Sequence, residues 1–147
     1  MLSLFFVLAL QTTLNIGDPL PPYAFDDQFG VQHTPLPDTR FVVLAHDKRT
    51  GSLARKWLAH TTVDLEAQHV VFLLDTGDMK PKMREKMVLP RLRKHLFPVL
   101  LADDPAFLGR IPQREDHLTV LRLAPDGTIA DVAFPAAVEE IDALVQP

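Results

Sequence analysis

Ser52 follows His46 by six residues and Asp47 by five. Together they offer a hydroxyl, a base and an orienting carboxylate, which a serine nucleophile requires because an alcohol is inert without an adjacent base. The stretch HDKRTGS lacks the glycine pattern of a nucleophile elbow. A capped helix start with solvated charges is the expectation for these residues. Six histidines (His33, His46, His60, His69, His95 and His117) include no pair at i, i+4, so a metal site built from them with Asp75 and Asp78 needs three or four ligands to converge in the fold. Solvated or capping roles are the expectation for them. Met79, Met83 and Met87 supply soft thioethers at a spacing of four, a pattern that suits copper, adaptable binding or the plain core face of a helix. Core packing is the expectation. Cysteine is absent from all 147 residues, so no thiolate is available for nucleophilic attack, disulfide exchange or metal binding.

Composition narrows the field further. The six glycines are widely separated, whereas dinucleotide fingerprints and phosphate loops cluster glycines so that backbone amides can approach phosphate. No cofactor is indicated. A formal charge of −4 and a pI near 5.8 argue against a nucleic-acid binder. The charge is uneven, because Lys80 to His95 holds seven Lys or Arg against Glu85, a window of +6. Arg91, Arg93 and Lys94 at its end could dock an acidic protein partner, or the cluster is the solvated face of an amphipathic helix.

Residues 1–13 open with an apolar run, Leu2 to Leu10, with Ala9 as a small residue for cleavage. The run is too short for a transmembrane helix and reads as the core of a signal peptide, giving a periplasmic or otherwise exported protein. No Lys or Arg precedes Leu10, so a hydrophobic strand in a cytoplasmic protein is the alternative. Residues 14–147 read as a single domain.

Hydrophobic patterning orders the elements that must position these groups. Gly17 to Pro22 is turn chemistry, and Phe25 to Gly30 an edge strand and turn. Phe41 to Ala45 (FVVLA) and His69 to Leu74 (HVVFLL) are continuous apolar runs, expected to be strands buried on both faces. Between them Thr50 is expected to cap a helix from Gly51 to about His60, with Leu53, Trp57 and Leu58 inward. A second helix carries the methionines until Pro90 ends or kinks it. Pro98 to Leu101 gives a strand, Asp103 to Gly109 a helical turn, and Leu118 to Leu123 a strand that turns at Pro125, Asp126 and Gly127 into Ile129 to Phe134. Pro135 is expected to open a last helix, with Val138, Ile141, Leu144 and Val145 buried and Glu139, Glu140 and Asp142 wet. The order βαβα, a βα insertion, then ββα implies an α/β fold: a three-layer α/β/α sandwich with a mixed central sheet.

Three stretches in this order, Ile16 to Gly30, Phe97 to Leu108 and Leu118 to Gly127, give the chain its resemblance to the thioredoxin-like superfamily, particularly its peroxiredoxin-like and periplasmic thiol-oxidoreductase branches. The resemblance implies an active cysteine at the start of the first long helix, and a proline facing it just before the late strand. Here the first position falls in His46 to Ser52, including Asp47, Arg49 and Thr50, and the second is Leu118, followed by a matching Thr119. Both halves of the thiol site are missing. The resemblance therefore implies a degenerate member without disulfide-exchange or thiol-peroxidase activity, acting as a binding or accessory module on the surface around His46 to Ser52 and Leu118. A non-thiol enzyme rebuilt around Ser52, His46 and Asp47 is the alternative.

Overall fold

Five apolar strands place every other side chain on opposite faces of one sheet, and both faces are covered. The computed structural model describes residues 12–147; the expected signal segment falls, for residues 1–11, outside them. A short hairpin, β1 (Phe25–Asp26) and β2 (Gln32–His33), precedes β3 (Phe41–Ala45), α1 (Lys48–His60) and β4 (Val70–Asp75). Then come α2 (Pro81–Met83), a π-helical turn (Arg84–Val88), α3 (Leu89–Leu92), β5 (Val99–Ala102), α4 (Pro105–Leu108), β6 (Thr119–Leu123), β7 (Ile129–Ala133) and α5 (Val138–Leu144). The sheet order is β5-β4-β3-β6-β7, with β3, β4 and β5 parallel and β6 and β7 antiparallel. This is the expected mixed sheet.

Phe41, Val43 and Ala45 pack with Ala54 and Trp57 of α1, Leu92 of α3, and Ile141 of α5. Both parallel crossovers step in one direction along the sheet, and their right-handedness puts α1 and the α2–α3 segment on one face. Val42 and Leu44 face the other way, onto Leu14, Tyr23, Phe25, Phe107 and Leu108. That outer layer is thin, being the entry segment and the single turn of α4. Its aromatic triad compensates: Tyr23 stacks on Phe25 at 5.5 Å, and Phe107 meets both edge-on. Burial pushes the Tyr23 phenol up to about 12.

Three expectations are corrected. α1 begins at Lys48 rather than Gly51, because Asp47 is the N-cap and Thr50 closes a capping box from the third helical position. Pro135 does not open the last helix; its carbonyl accepts from the Leu118 N–H at 3.0 Å, and α5 starts at Val138. Asp142 is half-buried rather than on the wet side. Its Oδ1 accepts from Trp57 Nε1 at 2.6 Å and from the Thr61 hydroxyl at 2.7 Å, tying α5 to α1.

Asp27 anchors the entry hairpin. Its carboxylate accepts from the Phe29 and Val31 N–H groups and meets His33 Nε2 at 2.8 Å. Burial alone would raise its pKa, but the His33 bond, the two amides and the His33 charge outweigh burial and hold it below the usual carboxylate value. A depressed folded value means stability that is present above the unfolded value, near pH 4, and lost as pH falls through the folded one. In urea unfolding from pH 5 to pH 2, the stability advantage of the native chain over Asp27→Asn is expected to shrink as pH falls.

Candidate ligand-binding site

The end of β3 and the first turn of α1 form a corner facing the loop that leads into β6. Asp47 Oδ1 accepts from the Thr50 N–H at 2.7 Å and the Thr50 hydroxyl at 2.8 Å, while the Thr50 oxygen accepts from the His46 and Asp47 amides. Thr50 is fully buried and its hydroxyl is saturated. Burial would raise the Asp47 pKa, but the Thr50 bonds and the nearby His46 prevail and hold it low. A carboxylate thus takes the helix-start position where the dipole favours a negative charge. His46 Nε2 lies 3.1 Å from the Arg114 carbonyl and 2.9 Å from that of His117. Carbonyl oxygens only accept, so Nε2 carries the proton and donates to both. Its Nδ1 is 3.5 Å from Asp47 Oδ2.

Across the corner, Leu118 is fully buried and the Thr119 hydroxyl donates to the Pro112 carbonyl at 2.6 Å. Arg49 pairs with Asp116 at 3.4 Å on the exposed rim. Ser52 stands apart: its hydroxyl is exposed and accepts from Arg55 Nη2 at 3.2 Å, with no hydrogen bond to His46. The structure brings His46, Asp47 and Thr50 together as a latch between α1 and the 114–117 turn. It does not assemble a charge relay on Ser52. Among the described residues no three His, Asp or Glu side chains converge as metal ligands. Asp75, at the end of β4, is raised mainly by burial and also by Asp78, against the Gly77 amide and His46.

The concave surface lies beside this corner. A cavity of about 260 Å³ runs between α1 and the α2–α3 segment, over Phe72, Leu74 and Val99 of the sheet. Met79, Met83 and Met87 line one wall, and Gly51, Ala54 and Leu58 the other. Met83 and Met87 are 44% and 53% exposed, so the methionine stripe is not plain core. The π turn over Arg84–Val88 widens the helix just before Pro90, whose ring nitrogen has no proton to donate, and it takes the stripe out of a regular 3.6-residue phase. Lys48, Arg55 and Arg91 stand at the rim. Arg93 points elsewhere, its Nε donating to the Gln28 carbonyl at 3.0 Å, and Lys94 is exposed. The α1 wall has a signal in the sequence: positions 51, 54, 55 and 58 share one helix face at i, i+3, i+4 and i+7.

No family model and no curated protein matches this sequence. Solved structures do. A thio-disulfide isomerase from Thermus thermophilus aligns at TM-score 0.54 and 19% identity over 90% of this chain and 96% of that one. Peroxidoxin BcpB from Mycobacterium tuberculosis aligns at TM-score 0.55 and 14% identity over 90% and 96%, and a thiol:disulfide interchange protein from a Bacteroides species at 0.56 and 12% over 90% and 91%. The fold is thioredoxin-like. At these identities the likeness concerns the fold alone, and this thioredoxin-like chain has no cysteine with which to carry out thiol chemistry.

Gly51 sits inside α1 at a helical φ, and a Cβ there would meet only Leu74 Cδ1, at an ordinary 3.8 Å. Gly51→Ala is therefore expected to stabilise the thioredoxin-like domain by about 0.5 to 1 kcal/mol, read from the urea midpoint.

Proposed function

We propose that the protein is a non-thiol binding module whose ligand site is the methionine-lined groove rather than the latched corner. One observation carries this reading: two methionines are half exposed over an apolar floor, beside a corner whose polar groups are consumed by their own hydrogen bonds. Methionine is unbranched and polarisable, and adapts to varied apolar shapes. Arg91 is the residue of the basic segment that reaches this site, so an acidic partner would engage Lys80 to His95 through it. Export remains part of the proposal, resting on the Leu2 to Leu10 run.

The test is comparative retention from native extract by the immobilised full chain and by Gly51→Leu, whose side chain would fill the groove. Molecules held by the native protein and lost from a folded Gly51→Leu protein support the reading. Equal retention by both overturns it.

A further inference from the structure

Resting on that reading, we infer that the groove binds a single-chain anionic amphiphile, the simplest being a medium-chain carboxylate. The interior asks for hydrocarbon. Its floor is Phe72, Leu74 and Val99 and its wall the three methionines, and among the described residues no buried side-chain nitrogen or oxygen lacks a partner. An extended peptide would bring its own N–H and C=O groups into a space whose walls leave them unpaired. Helix-in-groove recognition needs anchors spread from i to i+7, and a groove of about 260 Å³ matches ~9 groups of methylene size, the length of one medium alkyl chain. A chain of eight to ten carbons fills it.

The rim asks for an anion. Lys48 and Arg55, about two helical turns apart on α1, line the rim together with Arg91, and none of them is in an ion pair among the described residues. Asp47, the one carboxylate on the rim, already has Oδ1 committed to Thr50. Arg55 gives one N–H to Ser52 and keeps others available. A guanidinium binds a carboxylate through two parallel hydrogen bonds, so Arg91 would hold the head while the chain lies against the methionines.

Titration of the methyl-13C-methionine-labelled full chain at pH 7 with octanoate, decanoate, dodecanoate, decanol and decylamine, each below its micellar concentration, and with an acidic amphipathic peptide, tests this. Decanoate is expected to move the Met79, Met83 and Met87 methyl signals. Affinity should rise about fourfold per methylene from octanoate to decanoate and level off once the groove is full. Decylamine should bind at least tenfold more weakly than decanoate. Arg91→Gln should weaken decanoate five- to tenfold and leave decanol unchanged, and Arg91 is exposed, so the variant should fold. Equal affinity for decylamine and decanoate overturns the anion claim and leaves groove binding standing. Response to an acidic amphipathic peptide but to none of the amphiphiles overturns this inference and makes the partner a protein. Signals that respond to none of these probes overturn this inference, and the groove itself then stands or falls on retention by the native chain against Gly51→Leu.

Discussion

Gln28→Ala is expected to lower stability by about 3 to 4 kcal/mol, a large share of the ~5 to 15 kcal/mol that holds a domain together. Gln28 is 1% exposed and lies between the entry hairpin and the chain leaving α3. Its Nε2 is directed at the carbonyls of Leu92, His95 and Phe97, closest to Phe97 at 2.8 Å, while its Oε1 accepts from the Val99 N–H at 2.7 Å. Truncation removes these bonds together and strands the Val99 amide in a dry environment, at about 1 to 3 kcal/mol for each buried group left unpaired. The melting temperature should fall by about 10 °C. Gln28→Glu keeps the acceptor and loses the amide donor, so it should remain destabilised. Hydrogen exchange at Val99 should accelerate in Gln28→Ala by more than at Val43, which is held in the central strand.

Asp142→Ala should cost about 2 to 4 kcal/mol. One carboxylate oxygen takes hydrogen bonds from both Trp57 and Thr61, and Trp57 is the largest fully buried side chain of the domain. Bonds to a charged acceptor contribute about 1.5 to 3 kcal/mol, and the indole N–H has no other partner once the acceptor is removed. Asp142→Asn retains an oxygen at the same reach and should recover more than half of the loss. Urea unfolding of the two variants beside the native chain gives the comparison. Equal losses for Ala and Asn would mean that charge rather than the hydrogen-bond acceptor holds α5 to α1.

These two residues mark where the sequence stopped being legible. The strands β3, β4 and β5 were readable because a strand buried on both faces leaves an uninterrupted apolar run, as in FVVLA and VVFLL. The β6–β7 turn was readable because Gly127 adopts φ +84° after Pro125 and Asp126, which glycine tolerates without strain. Gln28 carries no such mark: its partners lie 64 to 71 positions away, and a lone polar residue in a turn looks solvated. The charge of Asp142 points to the wet face, although the helix turns it toward an indole donor on another element. At the candidate site, the loss of the thiol was plain from composition, and His46, Asp47 and Thr50 do meet at the corner. Their mutual saturation was not visible, because it depends on carbonyls of Arg114 and His117 across the fold. The groove was missed for a different reason: a spacing of four suggests a regular helix, and the π turn breaks that regularity locally.

The latched corner and the open groove divide the fold's surface chemically. At the corner Asp47, Thr50 and His46 satisfy one another and the facing loop, leaving no free nucleophile among them. At the groove, apolar surface and cations outside any ion pair among the described residues face solvent together, a combination that binding would relieve.

An amide and methyl shift map of the full chain, recorded with the fraction it retains from native extract, tests this division most directly. The account predicts that Gly51, Ala54, Leu58, Met83 and Met87 move together while His46 to Thr50 and Arg114 to Thr119 stay in place. Shifts centred on His46, Asp47 and the loop from Arg114 to Thr119, with the methionine methyls unmoved, would contradict it.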